Sequence, residues 1–266
     1  MFIFTQNSIQ MSFDSKFGKI TTVIQNKVAA ITFGSSASNS FRTALLQELT
    51  LIFNDLSVDK NVTVIVLNSH GNKVFCSGAS FDELLLIDNF EQGKSFFMGF
   101  ANLINAMRQC SKTIVGRIHG KTIGGGVGIA AACDYVFATT AASIKLSELE
   151  IGIGPFVIEP AVSRKIGLAA MATLSLDATN WKSAQWAFEK GLFSEIFDDE
   201  LSMDLAVEKF ILQLSTYNID ALSEFKKVFW QNTNNWHDLL AERAAISGQL
   251  ILSDFSKKAL QNLKAK

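Results

Sequence analysis

Hydrophobic positions along the chain change period several times, and the changes predict its elements. Residues 19–25 (KITTVIQ) and 28–33 (VAAITF) are β-branched and apolar around Asn26-Lys27, which predicts a hairpin closed by a two-residue turn. Over 42–57, Leu45, Leu46, Leu49, Ile52, Phe53 and Leu56 recur at helical spacing. VTVIVLNS (62–69) and TIVGRIHG (113–120) are the continuous apolar runs of strands buried beneath helices on both faces. Between them lie a loop broken by glycine and serine and a helix predicted at about 91–109. Gly124–Ala132 reads as a helix start, 134–139 as a further strand, and the chain after Glu148 as mostly helical. Alternating strands and helices, with helices last, predict one α/β domain with a helical C-terminal part. The pattern divides the chain into an N-terminal extension (1–18), a core (19–200) and a helical region (201–266).

Composition changes this picture in one respect. Of 266 residues, 48% are hydrophobic and only 18% charged, which is oilier than an ordinary soluble domain. No stretch approaches the roughly 18 uninterrupted apolar residues of a membrane span, so the excess predicts burial between subunits. A net charge of −1 with scattered Lys and Arg argues against nucleic acid as a partner. Cys76, Cys110 and Cys133 are odd in number and widely spaced, which fits a reducing cytoplasm better than a disulfide framework. With His70, His119 and His237 the only histidines, and no HxxxH or CxxC, no metal site is expected. The first ten residues lack a basic segment and a cleavage site, so no signal peptide is expected. Met11 competes with Met1 as the natural start, because organised patterning begins only after it.

Three stretches can carry chemistry. In Phe75-Cys76-Ser77-Gly78-Ala79-Ser80-Phe81, small residues just past a buried strand let a ligand approach the backbone, and Gly78 permits a turn that aims N–H groups outward. A tight strand-to-helix connection would read the same way. In Gly124-Gly125-Gly126-Val127-Gly128, glycines opening a helix leave unpaired N–H donors at its positive end. No Lys-Ser/Thr follows, which excludes a Walker A loop. Gly126-x-Gly128-x-x-Ala131 fits a loose dinucleotide fingerprint, but the next strand ends in Thr139-Thr140 where that fold needs an acidic residue. Close helix–strand packing also explains these glycines. In Leu146-Ser147-Glu148-Leu149-Glu150-Ile151-Gly152, carboxyls flanked by apolar residues would be desolvated, which raises a carboxyl pKa into a working range for proton transfer, although on pattern alone surface glutamates on a loop are the stronger reading.

FCSGA (75–79), GGGVG (124–128) about 45 residues on, and LSE-LEIG-IGP about 20 further make an ordered set. Together with ASNSF (37–41), ACDYVFA (132–138) and the Trp181…Lys190-Gly191-Leu192-Phe193 region, the set resembles the enoyl-CoA hydratase/isomerase (crotonase) superfamily over roughly 19–260. The pattern is most similar to methylglutaconyl-CoA-hydratase-like bacterial members. The resemblance implies a spiral of β-β-α turns with C-terminal helices that pack into trimers or hexamers. It implies an acyl-CoA substrate, with coenzyme A as part of the substrate and no separate cofactor. Backbone N–H groups at Ala79 and Gly125 would stabilise a thioester enolate, Glu148 would be the main acid/base, and Ser77, Gly78, Phe81, Gly124 and Gly128 would contact substrate.

The sequence departs from the family pattern twice. A second glutamate would stand two positions past the third glycine, where this chain has Gly128; that departure favours a single-base isomerase, whereas the methylglutaconyl-like pattern favours hydration. The resemblance also implies an adenine-binding turn at Ser77–Phe81; beside it, Ala79-Ser80-Phe81-Asp82 stands where many members carry a lysine, so phosphate charge would be met elsewhere, with Lys258, Lys264 or Lys266 of a neighbouring subunit as candidates. Segments 84–100 and 228–240, apolar and aromatic, are expected to line the acyl site. A nicotinamide-dependent oxidoreductase and a catalytically silent CoA-binding protein remain as readings from other classes.

Overall fold

A computed structural model describes residues 8–264. Met1, most of the segment read for a targeting signal, and Lys266 lie outside them. β1 (Ile9–Ser15), β2 (Gly18–Gln25) and β3 (Val28–Gly34) run antiparallel, with Ile20 opposite Phe33. Asn26 and Lys27 take φ of 50° and 64°, as a two-residue hairpin turn of primed type requires. α1 (Thr43–Val58) buries Leu45, Leu46, Leu49, Phe53 and Leu56 and returns the chain to β4 (Val64–Ser69), parallel to β3.

From β4 a unit repeats, with one strand placed in a large sheet, the next in a small sheet, and helix following. The first turn is β4, β5 (Val74–Cys76), α2 (Phe81–Leu84) and α3 (Phe90–Gln109). The second is β6 (Thr113–Ile118), β7 (Lys121–Ile123) and α4 (Gly125–Ala132). The third is β8 (Tyr135–Thr139), β9 (Ser143–Lys145), a 3-10 turn (Glu148–Ile151) and α5 (Glu159–Leu176). β10 (Lys182–Ser183), α6 (Ala184–Glu189) and β11 (Glu195–Phe197) lead to α7 (Glu200–Ser215), α8 (Ile219–Phe229), α9 (Trp236–Leu250) and α10 (Asp254–Lys264). The large sheet runs β1-β2-β3-β4-β6-β8-β11 and the small one β10-β9-β7-β5. This is the spiral of β-β-α turns that the resemblance implied.

The unbroken apolar run of β4 follows from burial on both faces. Ile65 and Leu67 enter the main core, while Val64 and Val66 pack with Val115 and Phe137 beneath Met203, Val207 and Ile211 of α7. Six strands carry no readable pattern of their own: β1 and β11 at the two edges of the large sheet, and all four of the small sheet. β1 lies inside the expected N-terminal extension: Ile9 and Met11 alternate correctly but stay largely exposed on an edge strand that only pairing with β2 defines. β11 has three residues and exists through its parallel pairing with β8. Among the described residues, no helix is long and apolar enough to cross a membrane.

Candidate active site

The three chemistry-bearing stretches begin at the carboxyl ends of β5, β7 and β9, neighbouring parallel strands of the small sheet. Their spacing in sequence is therefore one turn of the spiral each. Crevices at the carboxyl ends of parallel strands are where open α/β sheets bind ligands.

After β5 the chain turns at Gly78, whose φ of 81° suits glycine. A Cβ there would stand 3.0 Å from the Ile123 carbonyl oxygen and 3.5 Å from the Gly125 nitrogen, so this turn abuts the start of α4. The turn is pinned on both sides, Phe41 N–H donating to Gly78 O at 2.7 Å and Ser80 N–H to Phe41 O at 2.9 Å. The Ala79 N–H between them donates to no protein group among the described residues. Gly124 has φ of 52° and donates its own N–H to Lys145 O at 2.9 Å, which anchors the start of α4 to β9. Gly125 then opens α4 with an N–H that has no intrahelical partner. Its missing side chain matters as well, since a Cβ would lie 2.2 Å from Phe100 Cε1.

Glu148 sits against this backbone. A Cβ on Gly124 would be 2.8 Å from Glu148 Oε1, so the carboxyl rests directly over the glycine. Its Oε2 is sealed from solvent without a hydrogen-bond partner, and burial pushes the carboxyl up to about 7. Glu150, two residues on, is held by Lys145 Nζ at 2.8 Å and faces the outer groove instead. Burial drives Cys76 and Cys133 up to about 12, which keeps both as thiols and removes them as nucleophiles.

An inner chamber of about 60 Å³ brings together Ser77, Gly78, Ala79, Phe81, Gly124, Gly125 and Glu148. It opens into an outer groove of about 430 Å³ across a shared neck that includes Ala79, Phe81 and Ile123. Gly128 does not join them. A Cβ there would meet Ile158 Cγ2 at 2.3 Å, so its assignment to substrate contact is corrected: it is a packing glycine. Gly126 plays the same part against Cys76 Cβ at 2.7 Å, which accounts for the dinucleotide-like pattern by packing. Leu84, Phe97 and Phe100 line the chamber as expected, but 228–240 does not. Trp230, Trp236 and Leu240 are buried in the core, and α9 reaches the chamber further along, at Ser247. Residues 151–158, unread as lining, contribute Ile151, Phe156, Val157 and Ile158. Lys264 lines the outer groove of its own chain, 3.2 Å from Asp82, while Lys258 does not line it. Among the described residues no three His, Cys, Asp or Glu side chains gather as metal ligands would.

Two sheets wound as a spiral, with helix starts and turns converging on one chamber, define a crotonase-type α/β enzyme. An enoyl-CoA hydratase from Bacillus halodurans has the same fold, with a TM-score of 0.83 at 20% identity over 91% of this chain and 99% of that one. The sequence pattern that defines the enoyl-CoA hydratase/isomerase family matches residues 23–264, and the chain belongs to that family. It is 29% identical over 208 residues to the enoyl-CoA hydratase ACTT6 of Alternaria alternata, covering 77% of this chain and 67% of that protein. It is 26% identical over 186 residues to a short-chain-enoyl-CoA hydratase of Clostridium acetobutylicum, covering 69% and 70%.

Proposed function

We propose that this enzyme hydrates a 2-enoyl-CoA, with a short and branched, methylglutaconyl-like acyl group as the leading candidate. The observation that carries the reading is the sealed, unpartnered Glu148 Oε2 in the same chamber as the unused N–H groups of Ala79 and Gly125. The acyl chain enters through the outer groove and the thioester carbonyl takes both N–H bonds. Preorganised donors of this kind stabilise an oxyanion without reorganising as charge develops. The Glu148 carboxylate takes a proton from water as its oxygen bonds to C3, and the electron pair of the double bond moves to the thioester oxygen. Glu148, now an acid, returns the proton to C2, so one carboxyl completes a balanced addition. Its pKa near neutrality suits both directions of transfer.

The isomerase reading draws on Ile158 filling the space beside Gly128, because one base suffices to move a proton between two carbons. Incubating a panel of 2-enoyl- and 3-enoyl-CoA esters and locating the product hydroxyl or double bond separates the two. A 3-hydroxyacyl-CoA product is expected, and a shifted double bond without water uptake would establish the isomerase. A silent CoA-binding protein would bind the esters and turn over none of them.

The reading includes a homotrimer or homohexamer in the cytoplasm, with coenzyme A as part of the substrate and neither metal, nicotinamide nor nucleic acid required. Three buried, unpaired cysteines suit a reducing compartment.

A further inference from the structure

The inner chamber is apolar except for four side chains: Ser77, Ser147, Glu148 and Ser247. Three of them sit near the neck or the reacting centre. Ser77 and Ser147 also line the outer groove, and Glu148 lies over Gly124. Ser247 differs. It stands on α9, whose Gly248 abuts α3 at Gly93, about two helical turns from Phe100 where α3 abuts Gly125, so it lies away from the reacting centre, and it is only 1% exposed. Its carbonyl accepts from Ile251 N–H at 3.0 Å, but its hydroxyl has no hydrogen-bond partner among the described residues.

A helical serine ordinarily satisfies itself on the carbonyl one turn back, as Thr50 does on Leu46 O at 2.7 Å. Ser247 does not. It is also held in place. The neighbouring Gly248 packs tightly on α3, where a Cβ on Gly93 would stand 2.7 Å from Gly248 O. One turn along α3, Phe97 lines the same chamber. An unpaired hydroxyl on a rigid helix crossing, in a chamber also lined by Phe97, Phe156 and Ile158, is open to a bond from a ligand. Sparse, fixed polar groups of this kind orient ligands in apolar pockets.

We propose that Ser247 is a specificity residue whose hydroxyl hydrogen-bonds an oxygen carried by the far end of the acyl chain. The inference rests on the proposed acyl-CoA reading and deepens it: the substrate is an enoyl thioester whose acyl tail bears a hydroxyl or carboxylate, rather than a plain hydrocarbon. The chamber sets the scale, since about 60 Å³ admits only a few carbon and oxygen atoms beyond the double bond.

Three five-carbon esters test it: 2-pentenoyl-CoA, 5-hydroxy-2-pentenoyl-CoA and glutaconyl-CoA, each assayed with the wild-type enzyme and with Ser247→Ala. One hydrogen bond in a buried site corresponds to a preference on the order of 10- to 100-fold. At least one oxygenated ester is expected to exceed 2-pentenoyl-CoA in kcat/KM by that factor, and which one identifies hydroxyl or carboxylate. Ser247→Ala should abolish the preference by lowering kcat/KM for the oxygenated ester by that factor, and an unchanged far-ultraviolet circular dichroism spectrum shows that the variant folds. Equal use of all three esters, a preference that survives Ser247→Ala, or an equal loss on all three overturns the proposal. Failure of the wild-type enzyme to turn over any ester would sink the acyl-CoA reading itself, and this inference with it.

Discussion

Glu148 and Gly128 are two residues of one motif set with opposite fates in the fold, and each yields a measurement. Glu148 is a carboxyl kept from water, so its ionisation is opposed by burial. Glu148→Gln keeps the shape and a polar end but cannot cycle a proton; kcat is expected to fall about 10²- to 10⁴-fold with acyl-CoA affinity near wild type. Stability should move the other way, with a definite pH signature. A carboxyl whose folded pKa is raised above its unfolded value binds its proton more tightly in the native state. The wild type therefore loses stability as pH rises from the ordinary carboxyl range through about 7, then levels off. Glutamine does not titrate, so the melting-temperature advantage of Glu148→Gln over wild type should be larger at pH 8 than at pH 5. An advantage independent of pH would show that Glu148 is not held protonated by burial. At Gly128 the clash with Ile158 governs. Gly128→Ala should destabilise by about 1–3 kcal/mol through overpacking, and adding Ile158→Ala should recover part of that loss because the two sites touch. Denaturant unfolding of the single and double variants measures the coupling. Gly128→Glu, attractive from the family pattern as a way to install a second acid, is expected to unfold the α4–α5 contact rather than gain activity.

At the scale of elements, Asp134 ties the C-terminal helices to the spiral. One carboxylate oxygen accepts Ile114 N–H at 2.8 Å and pairs with Lys226 of α8 at 2.9 Å, while the other accepts Trp230 Nε1–H at 3.1 Å. Its carbonyl accepts from Lys165 of α5 at 3.1 Å, and Lys226 also donates to Lys112 O at 2.8 Å. Both members of the ion pair are almost fully buried. Removing one partner leaves the other charge stranded, so Asp134→Ala should cost about 3–5 kcal/mol in denaturant unfolding. A cost below about 1 kcal/mol would mean that α8 docks without this hub. The hub also marks where the sequence stops being legible. The hairpin, α1, α3, β4, β6, α4 and β8 were readable because their period or β-branched content is local. The family resemblance pointed to Ala79, Gly125 and Glu148, and the structure brings them into one chamber because each spiral turn sets the next stretch beside the last at the ends of β5, β7 and β9. Asp134 lay inside a recognised strand, yet its partners stand up to 96 positions away, and no local pattern announces them. The same holds for Gly128, whose role depends on Ile158, and for Ser247, an ordinary serine on a helix until the α3–α9 crossing gives it a chamber to face.

For the whole molecule, the excess of apolar residues that excluded little on its own acquires a location. Leu201, Leu205 and Leu212 stand exposed along α7 at spacings of about one and two turns, at 72%, 61% and 45%. Phe225, Val228 and Phe229 do the same on α8, whose exposed aromatics Phe225 and Phe229 stack edge to face with ring centroids 4.7 Å apart. Scattered exposed leucines need no explanation, but contiguous apolar patches on a monomer mark contact sites. Two patches on consecutive helices of one chain suit a closed ring, in which each copy offers one surface to the next and the rotation terminates the assembly. A trimer, or two stacked trimers, is therefore the expected species at micromolar concentration by light scattering. Phe225→Asp with Phe229→Asp places two charges on the α8 patch and touches nothing in the chamber. Because both side chains are exposed in the monomer, the double variant should keep its fold and its far-ultraviolet circular dichroism. It should lose mass in solution towards a single chain, and a wild-type-sized particle from it would place the interface elsewhere on the molecule.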